Sequence, residues 1–244
     1  MSDRPAWMAR TRLLLDDEQL NRLRASHILI AGLGGVGSYA AEILGRAGIG
    51  KFTLIEGDTV DETNINRQLL ALHSTVGQSK VQLMKERIGD INPAAEIITL
   101  ERFAEPSEFE QILMENRFSY VVDAIDSLTP KLYLIAASLK AKVPLISAMG
   151  SGGKTDPDKI GVADISETYN DYFARMIRKR LKKMGISTGF KTVFSTELQN
   201  KSSLDYTEGT PYKNSYYGTV SYMPALFGIR MAAEVIRDLT GNNV

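Results

Sequence analysis

A five-residue apolar run, His27 to Ala31, leads directly into Gly32-Leu33-Gly34-Gly35-Val36-Gly37, and the residues that follow recur with helical period. A strand that feeds a GxGxxG turn and then a helix gathers backbone amides and the positive helix end at one spot, where an anion can sit. Val36, Ala40, Ile43 and Ala47 fall at i, i+4, i+7 and i+11, so the helix is amphipathic. A strand this apolar is covered on both faces, which requires neighbours in a parallel sheet.

Those neighbours are visible. Strand-like runs occur at Lys51 to Ile55, Glu96 to Leu100, Tyr120 to Ala124 and Val143 to Ser147. Val81, Met84 and Ile88 form a helical stripe between the second and third, while Pro106 suits the first turn of a helix through Asn116 and Pro130 that of a helix through Lys142. The alternation predicts an α/β, Rossmann-like, doubly wound and mostly parallel sheet with right-handed crossovers and a crevice at the carboxyl ends of the strands. After Gly150 the stretch SGGKTDPDK interrupts the alternation. The expected organisation is an N-terminal helical arm over 1–24, a nucleotide-binding core over 25–150, and a C-terminal substrate-side region over 151–244 packed on the same sheet. Within the last, Lys159 to Ile165 and Lys191 to Ser195 read as strands, Tyr169 to Met184 and Met223 to Leu239 as helices, and Asn200 to Ser215 as a mobile polar loop.

Composition narrows the chemistry. A chain of 244 residues with 43% hydrophobic content supports one substantial core. Lys plus Arg and Asp plus Glu are equal at 29 each, so any nucleic-acid site must be a local patch rather than a global field. The absence of cysteine excludes disulfides, a cysteine nucleophile and a thioester carried by this chain; with His27 and His73 the only histidines, no zinc is expected. No apolar stretch of signal or membrane-spanning length is present, which predicts a cytoplasmic protein with no membrane partner.

Glu56 ends the second strand run, 19 residues beyond Gly37, in the acidic segment Ile55-Glu56-Gly57-Asp58, where a carboxylate can accept hydrogen bonds from ribose hydroxyls. With the glycine loop alone, a protein binding a nicotinamide or flavin dinucleotide fits as well as an ATP enzyme. Three further segments separate the two: Asn64-Ile65-Asn66-Arg67-Gln68, Gly77-Gln78-Ser79-Lys80, and Asp123-Ala124-Ile125-Asp126-Ser127. Hydride transfer leaves the cofactor's pyrophosphate intact, whereas adenylation breaks the bond between α- and β-phosphates and must neutralise the departing pyrophosphate. Arg67 and Lys80 suit that task, and Asp126 is placed to hold magnesium beside the phosphates. Taken singly, each also has an ordinary reading, a solvated surface charge for the cations and a helix cap for the aspartate.

In this order and spacing, GLGGVG, IEGD, NINRQ, VGQSK and DAIDS, spanning residues 32–127, resemble the ubiquitin-activating-like superfamily of adenylating enzymes. The resemblance implies an ATP site built from Gly32, Gly34, Gly35, Gly37, Glu56, Asp58, Asn64, Arg67, Gln68, Lys80, Asp126 and Ser127, with Arg67, Lys80 and Asp126 catalytic. Arg12, before Leu13-Leu14-Leu15, resembles the arginine that reaches the neighbouring subunit's active site, which implies a homodimer. DAIDSLTPK, GSGGKTDP, VFSTE and Gly218-Thr219-Val220 further resemble the tRNA threonylcarbamoyladenosine dehydratase family, over nearly the whole chain. That resemblance implies ATP and Mg2+ as cofactors, activation of the modified nucleoside's carboxylate as an acyl-adenylate, and ring closure to a hydantoin beside the anticodon. The alternative is adenylation of the C-terminal glycine of a ubiquitin-like sulfur carrier. A delivery partner for the substrate is left open. Some dehydratase relatives carry a cysteine shortly before the segment matching Gly218, where this chain has Lys213, Asn214, Ser215, Tyr216 and Tyr217.

The helix expected over Tyr169 to Met184 places Phe173, Ile177, Leu181 and Met184 on one stripe. Arg175, Arg178, Lys179, Arg180, Lys182 and Lys183 then fall opposite, with no carboxylate between them. A charge run is usually a solvated face; here Arg175, Arg178, Lys179 and Lys182 are the candidate contacts to a tRNA anticodon-loop backbone. Tyr216, Tyr217 and Tyr222 are candidates for stacking on unpaired bases.

Overall fold

A computed structural model of the protein describes residues 5–206 and 215–241. Helix α1 (Asp17–Ala25) begins at a reciprocal cap in which Asp16 accepts the Gln19 amide proton and the Gln19 side chain accepts that of Asp16. It leads into β1 (His27–Ala31), α2 (Gly37–Arg46), β2 (Lys51–Ile55), α3 (Lys80–Ile91), β3 (Glu96–Leu100), α4 (Glu108–Glu115), β4 (Tyr120–Asp123), α5 (Leu128–Lys140) and β5 (Leu145–Ala148). Then follow β6 (Ile160–Asp164), α6 (Tyr172–Lys183), β7 (Lys191–Ser195), β8 (Leu204–Tyr206), β9 (Ser215–Tyr217) and α7 (Tyr222–Thr240).

Seven strands form one sheet in the order β3-β2-β1-β4-β5-β7-β6. All neighbours are parallel except β6, which runs antiparallel to β7 at the edge. The chain steps outward from β1 to β2 and β3, then returns to the other side of β1 as β4. The two connections part there, which opens a crevice at the carboxyl ends of β1 and β4.

Alternation along β1 shows how the layers are made. Ile28 and Ile30 belong to a core with Ala40, Ala41 and Leu44 of α2, Val81, Met84 and Ile88 of α3, and Met223, Phe227 and Met231 of α7. Leu29 and Ala31 belong to the opposite core with Phe109 and Leu113 of α4, Leu134 and Ile135 of α5, and Ala174, Ile177 and Leu181 of α6. The residues after 150 supply β6, β7, α6 and α7 to this same sheet and these same two layers.

Four local readings shift. The fourth strand ends at Asp123 and the fifth runs from Leu145 to Ala148. Helix α6 starts at Tyr172, three residues later than expected, because Asn170 adopts a left-handed backbone (φ 58°) and Asp171 caps the helix by accepting the Ala174 amide proton at 2.8 Å. The stretch read as a mobile polar loop from Asn200 contains β8, paired antiparallel with β9, Leu204 opposite Tyr217. Backbone bonds between Gly153 and Gly218, Asn200 and Gly153, and Gly218 and Ser203 hold that ribbon to the chain after β5. Residues 207–214, the remainder of the expected loop, lie outside the described residues.

Candidate active site

The glycine loop sits at the crevice, and its glycines do different jobs. Gly32 has φ +89°, and a side-chain carbon there would lie 2.8 Å from the Ala124 carbonyl oxygen; one at Gly37 would lie 1.8 Å from the Gly32 oxygen. These two glycines are required by the turn itself. At Gly35 the close neighbours are Pro224 Cβ at 3.0 Å and the Arg67 oxygen at 3.3 Å. Gly34 alone faces open space, with only the Gln68 side chain near, its Nε2 3.7 Å from the empty Cβ position. The Gln68 amide is buried there with its oxygen unpartnered. The Nε2 turned toward Gly34 is a donor suited to a phosphate oxygen over the glycine cradle, whereas the unpartnered oxygen is an acceptor that calls for a hydroxyl or amino group of a nucleotide.

The acidic end of β2 divides its two carboxylates. Glu56 is buried and accepts three backbone N–H groups, from Leu33 at 2.8 Å and from Gly57 and Asp58 at 2.9 and 3.0 Å. It therefore holds the glycine loop in shape. Burial pushes its carboxyl upward, opposed by those amides and by the Lys80 charge. Asp58 is exposed and receives Lys80 Nζ at 3.1 Å; Lys80 itself is only 4% exposed. Segments twenty residues apart meet here because Thr59 bridges Ser79, the Val60 N–H donates to the Gln78 oxygen and the Gly77 N–H donates to the Val60 oxygen. Gly77, at φ +83°, makes the reversal possible.

Between them, Asp61 opens a single 3-10 turn, Glu62–Asn64. Asn64 is buried, its side-chain oxygen accepting the Asp61 amide at 3.3 Å and its backbone oxygen accepting those of Arg67 and Gln68. Arg67 donates from Nη1 to the Thr63 oxygen and to Asn66 Oδ1, both at 2.8 Å. Asn66 in turn donates to the Thr219 oxygen, joining this turn to the segment before α7.

At the end of β4 Asp126 is exposed, and the position capping α5 is held by Ser127, whose side chain makes no capping bond. The ordinary reading of Asp126 as the helix cap does not apply. Behind it lies a buried network that sequence reasoning missed. Lys131, fully buried, donates to Asp123 Oδ2 at 2.7 Å and to Ser147 Oγ at 3.0 Å; Ser147 donates to the same carboxylate at 2.6 Å. The other Asp123 oxygen accepts the Ile125 N–H at 3.1 Å. Burial pushes the Lys131 ammonium down, while the charges of Asp123 and Asp126 pull it back up. A second buried pair, Lys154 with Asp171 at 2.7 Å, ties the chain after β5 to the cap of α6. One signal for Lys131 was present: Leu128, Lys131, Leu132 and Ile135 share the i, i+3, i+4, i+7 stripe of α5, an apolar face in which a lysine needs a partner.

Arg12 belongs to the N-terminal segment, whose Met8 packs against Gly48 before the amino end of β2. It sits in the turn Thr11–Leu13 and donates to the Pro5 oxygen at 2.9 Å, beside Leu13 and Leu14, which are 89% and 85% exposed. On α6, Arg175, Lys179, Arg180, Lys182 and Lys183 are exposed, but Arg178 is half-buried and bonded to Thr168 Oγ1. The expected four-residue phosphate face therefore loses Arg178 to packing. Of the three candidate stacking tyrosines, Tyr217 is half-buried against Gly153, and Tyr222 is 42% exposed with its hydroxyl on the Thr155 oxygen. The Tyr216 side chain, Lys213 and Asn214 lie outside what is described. Among the described residues no three His, Asp or Glu side chains gather as a preformed metal cage.

The sequence matches the model of the ThiF family over residues 8–244. It is 43% identical over 254 residues to the tRNA threonylcarbamoyladenosine dehydratase of Escherichia coli, covering 96% of this chain and 94% of that protein. Identity to the Bacillus subtilis protein of the same name is 39% over 244 residues, covering 95% and 93%. The crystal structure of the E. coli enzyme in complex with ATP superposes with a TM-score of 0.88 at 36% identity, covering 99% of this chain and 98% of that one.

Proposed function

The chain belongs to the ThiF family, and we propose that within it this enzyme uses ATP to dehydrate threonylcarbamoyladenosine in tRNA, adenylating its carboxylate before a ureido nitrogen closes the ring. The observation that carries this reading is the convergence, on one edge of the sheet, of the open Gly34–Gln68 cradle, the Asp58–Lys80 pair and the exposed Asp126. ATP supplies the adenylyl group and the pyrophosphate that leaves. The chain's own residues bind and polarise. Amides of the glycine loop, held by Glu56, face the phosphates. Asp58, the exposed member of the acidic pair, is the carboxylate available to the ribose, a role the sequence had given first to Glu56. Lys80 and Arg67 offset charge developing on the leaving group once Lys80 is drawn from Asp58 and Arg67 from its backbone contacts. Asp126 would hold Mg2+ together with phosphate oxygens, an ion that brings most of its ligands with the nucleotide and needs no protein cage.

Arg12 completes the partner's site in a homodimer, an arrangement favoured by the exposed Leu13 and Leu14 beside it. The exposed basic face of α6 contacts tRNA. A tRNA substrate supports the reading of a cytoplasmic enzyme. Two measurements test the reading: ATP–pyrophosphate exchange with threonylcarbamoyladenosine-containing tRNA or with a sulfur-carrier protein, and mass spectrometry of anticodon-loop nucleosides before and after incubation. Exchange with tRNA and conversion to the hydantoin are expected. Exchange with the carrier alone would overturn the proposal.

A further inference from the structure

Two exposed tyrosines stand at the carboxyl edge of the sheet, Tyr169 at 57% and Tyr172 at 59% exposure. The turn that carries them is held from several sides. Tyr169 packs edge-on against Phe194 of β7, ring centroids 5.9 Å apart at 71°. Asn170 takes its left-handed conformation and donates to the Thr196 oxygen at 3.1 Å. Asp171, 3% exposed, accepts Lys154 Nζ and caps α6, while Lys154, 1% exposed, also donates to the Ser195 oxygen at 3.2 Å. Phe173, which follows Tyr172, lies beneath Lys131 Nζ at 5.9 Å, and Lys131 holds Asp123. The tyrosines are thus one packed layer away from the strand end that bears Asp126.

A desolvated ion pair is a costly means of fixing a surface turn, and the left-handed Asn170 sets the direction in which that turn leaves the sheet. They make sense where the orientation of what the turn presents matters. We propose that Tyr169 and Tyr172 are a preset stacking platform for unpaired RNA bases at the mouth of the crevice, from which α6 carries the RNA backbone outward. Helix α6 contains six basic residues and no acidic one, and over twelve residues it spans about 18 Å. Flat aromatic faces followed by a track of exposed cations match the alternating chemistry of single-stranded RNA, a base face and a phosphate. An acidic protein would satisfy the cations but would leave both rings without a flat partner. The inference rests on the tRNA reading and deepens it by naming where the loop bases lie.

The test uses the full chain with a short anticodon stem-loop RNA, intact or with abasic loop positions, across a salt series. The variants are Tyr169→Ala, Tyr172→Ala and the corresponding Phe substitutions. Each alanine should weaken binding of the intact loop roughly 5- to 150-fold, the range for one lost base–aromatic stack. The slope of log affinity against log salt should not change, because no phosphate contact is removed. Phenylalanine should restore affinity, and the abasic loop should bind wild type as weakly as the alanine variants bind the intact loop. ATP affinity reports that each variant is folded; since Tyr169 packs on Phe194, Tyr172→Ala is the arm least exposed to a folding defect. Alanine variants that match wild type on intact RNA, while wild type modifies tRNA, would overturn the platform and leave the function standing. Absence of any RNA binding by wild type at low salt would overturn both.

Discussion

The buried Lys131–Asp123 pair gives a prediction whose size follows from its partners. Lys131→Met keeps most of the side-chain volume and removes the ammonium, leaving Asp123 with Ser147 Oγ at 2.6 Å and the Ile125 N–H at 3.1 Å. Breaking a buried pair by removing one partner costs about 3–5 kcal/mol. Two surviving hydrogen bonds put this case at the low end, about 3 kcal/mol, against a total stability on the order of 5–15 kcal/mol. Asp123→Asn should cost a similar amount, because the fully buried ammonium then has only neutral partners. In the double variant neither charge remains, so its cost should fall below that of either single change, giving a coupling of a few kcal/mol. Urea unfolding at neutral pH, with m-values compared to exclude altered denatured states, measures all four corners of the cycle. A single-variant cost under about 1 kcal/mol, or a double variant costing the sum of the singles, would refute the assignment of this pair as a coupled unit holding the Asp126 turn.

Asp126→Asn should lower turnover by at least ~10²-fold while ATP still binds, and near-normal turnover would remove Asp126 from the chemistry. Mixing inactive Arg12→Ala with inactive Asp126→Asn should recover activity through hybrid dimers once subunits exchange; no recovery after demonstrated exchange would argue against a shared site. Replacing Arg175, Lys179, Lys182 and Lys183 by alanine should lower the log-affinity against log-salt slope for tRNA by up to about 3 units, whereas an unchanged slope would make the face merely solvated. His27, buried against Phe118 and hydrogen-bonded to Thr53, has its pKa lowered to about 4, chiefly by burial. Between about pH 6.5 and 4 the unfolded chain therefore binds the extra proton, and stability should fall as pH drops through that window, by up to about 3 kcal/mol, an amount that His27→Gln should abolish in a comparison of unfolding free energies.

What the sequence disclosed and what it withheld separate along physical lines. Period and punctuation are local, so the strands around Gly32 and the helices after Gly37 and Lys80 were legible. The convergence of IEGD, NINRQ and VGQSK was legible only as a motif order, since the Thr59–Ser79 bridge that brings them together is a tertiary event. Glu56 and Asp58 carry the same charge two residues apart, and only the fold shows that one is consumed by the Leu33, Gly57 and Asp58 amides while the other stays in solvent. Arg178 and its exposed neighbours on α6 likewise looked equivalent until Thr168 claimed one of them. Tyr169 and Tyr172 passed as ordinary helix residues because the left-handed Asn170, which sets the first outside the helix, leaves little trace in composition.

The last helix of the chain is built into the loop made by the first strand. Gly228 lets α7 cross α2 so closely that a side-chain carbon there would lie 2.2 Å from the Val36 oxygen, Pro224 packs on Gly35, and Thr219 takes the Asn66 amide. The glycine loop is thus clamped by α7 on one side and by Glu56 on the other, and the Asp126 turn is clamped from below by Asp123 and Lys131. Electrostatic catalysis requires donors and charges already aimed before the nucleotide arrives, because reorienting them during reaction would consume the stabilisation they provide. In this chain the aim of the proposed ATP site depends on contacts between residues as far apart as Gly35 and Pro224. The residues after 150 therefore help to shape the glycine loop as well as completing the sheet.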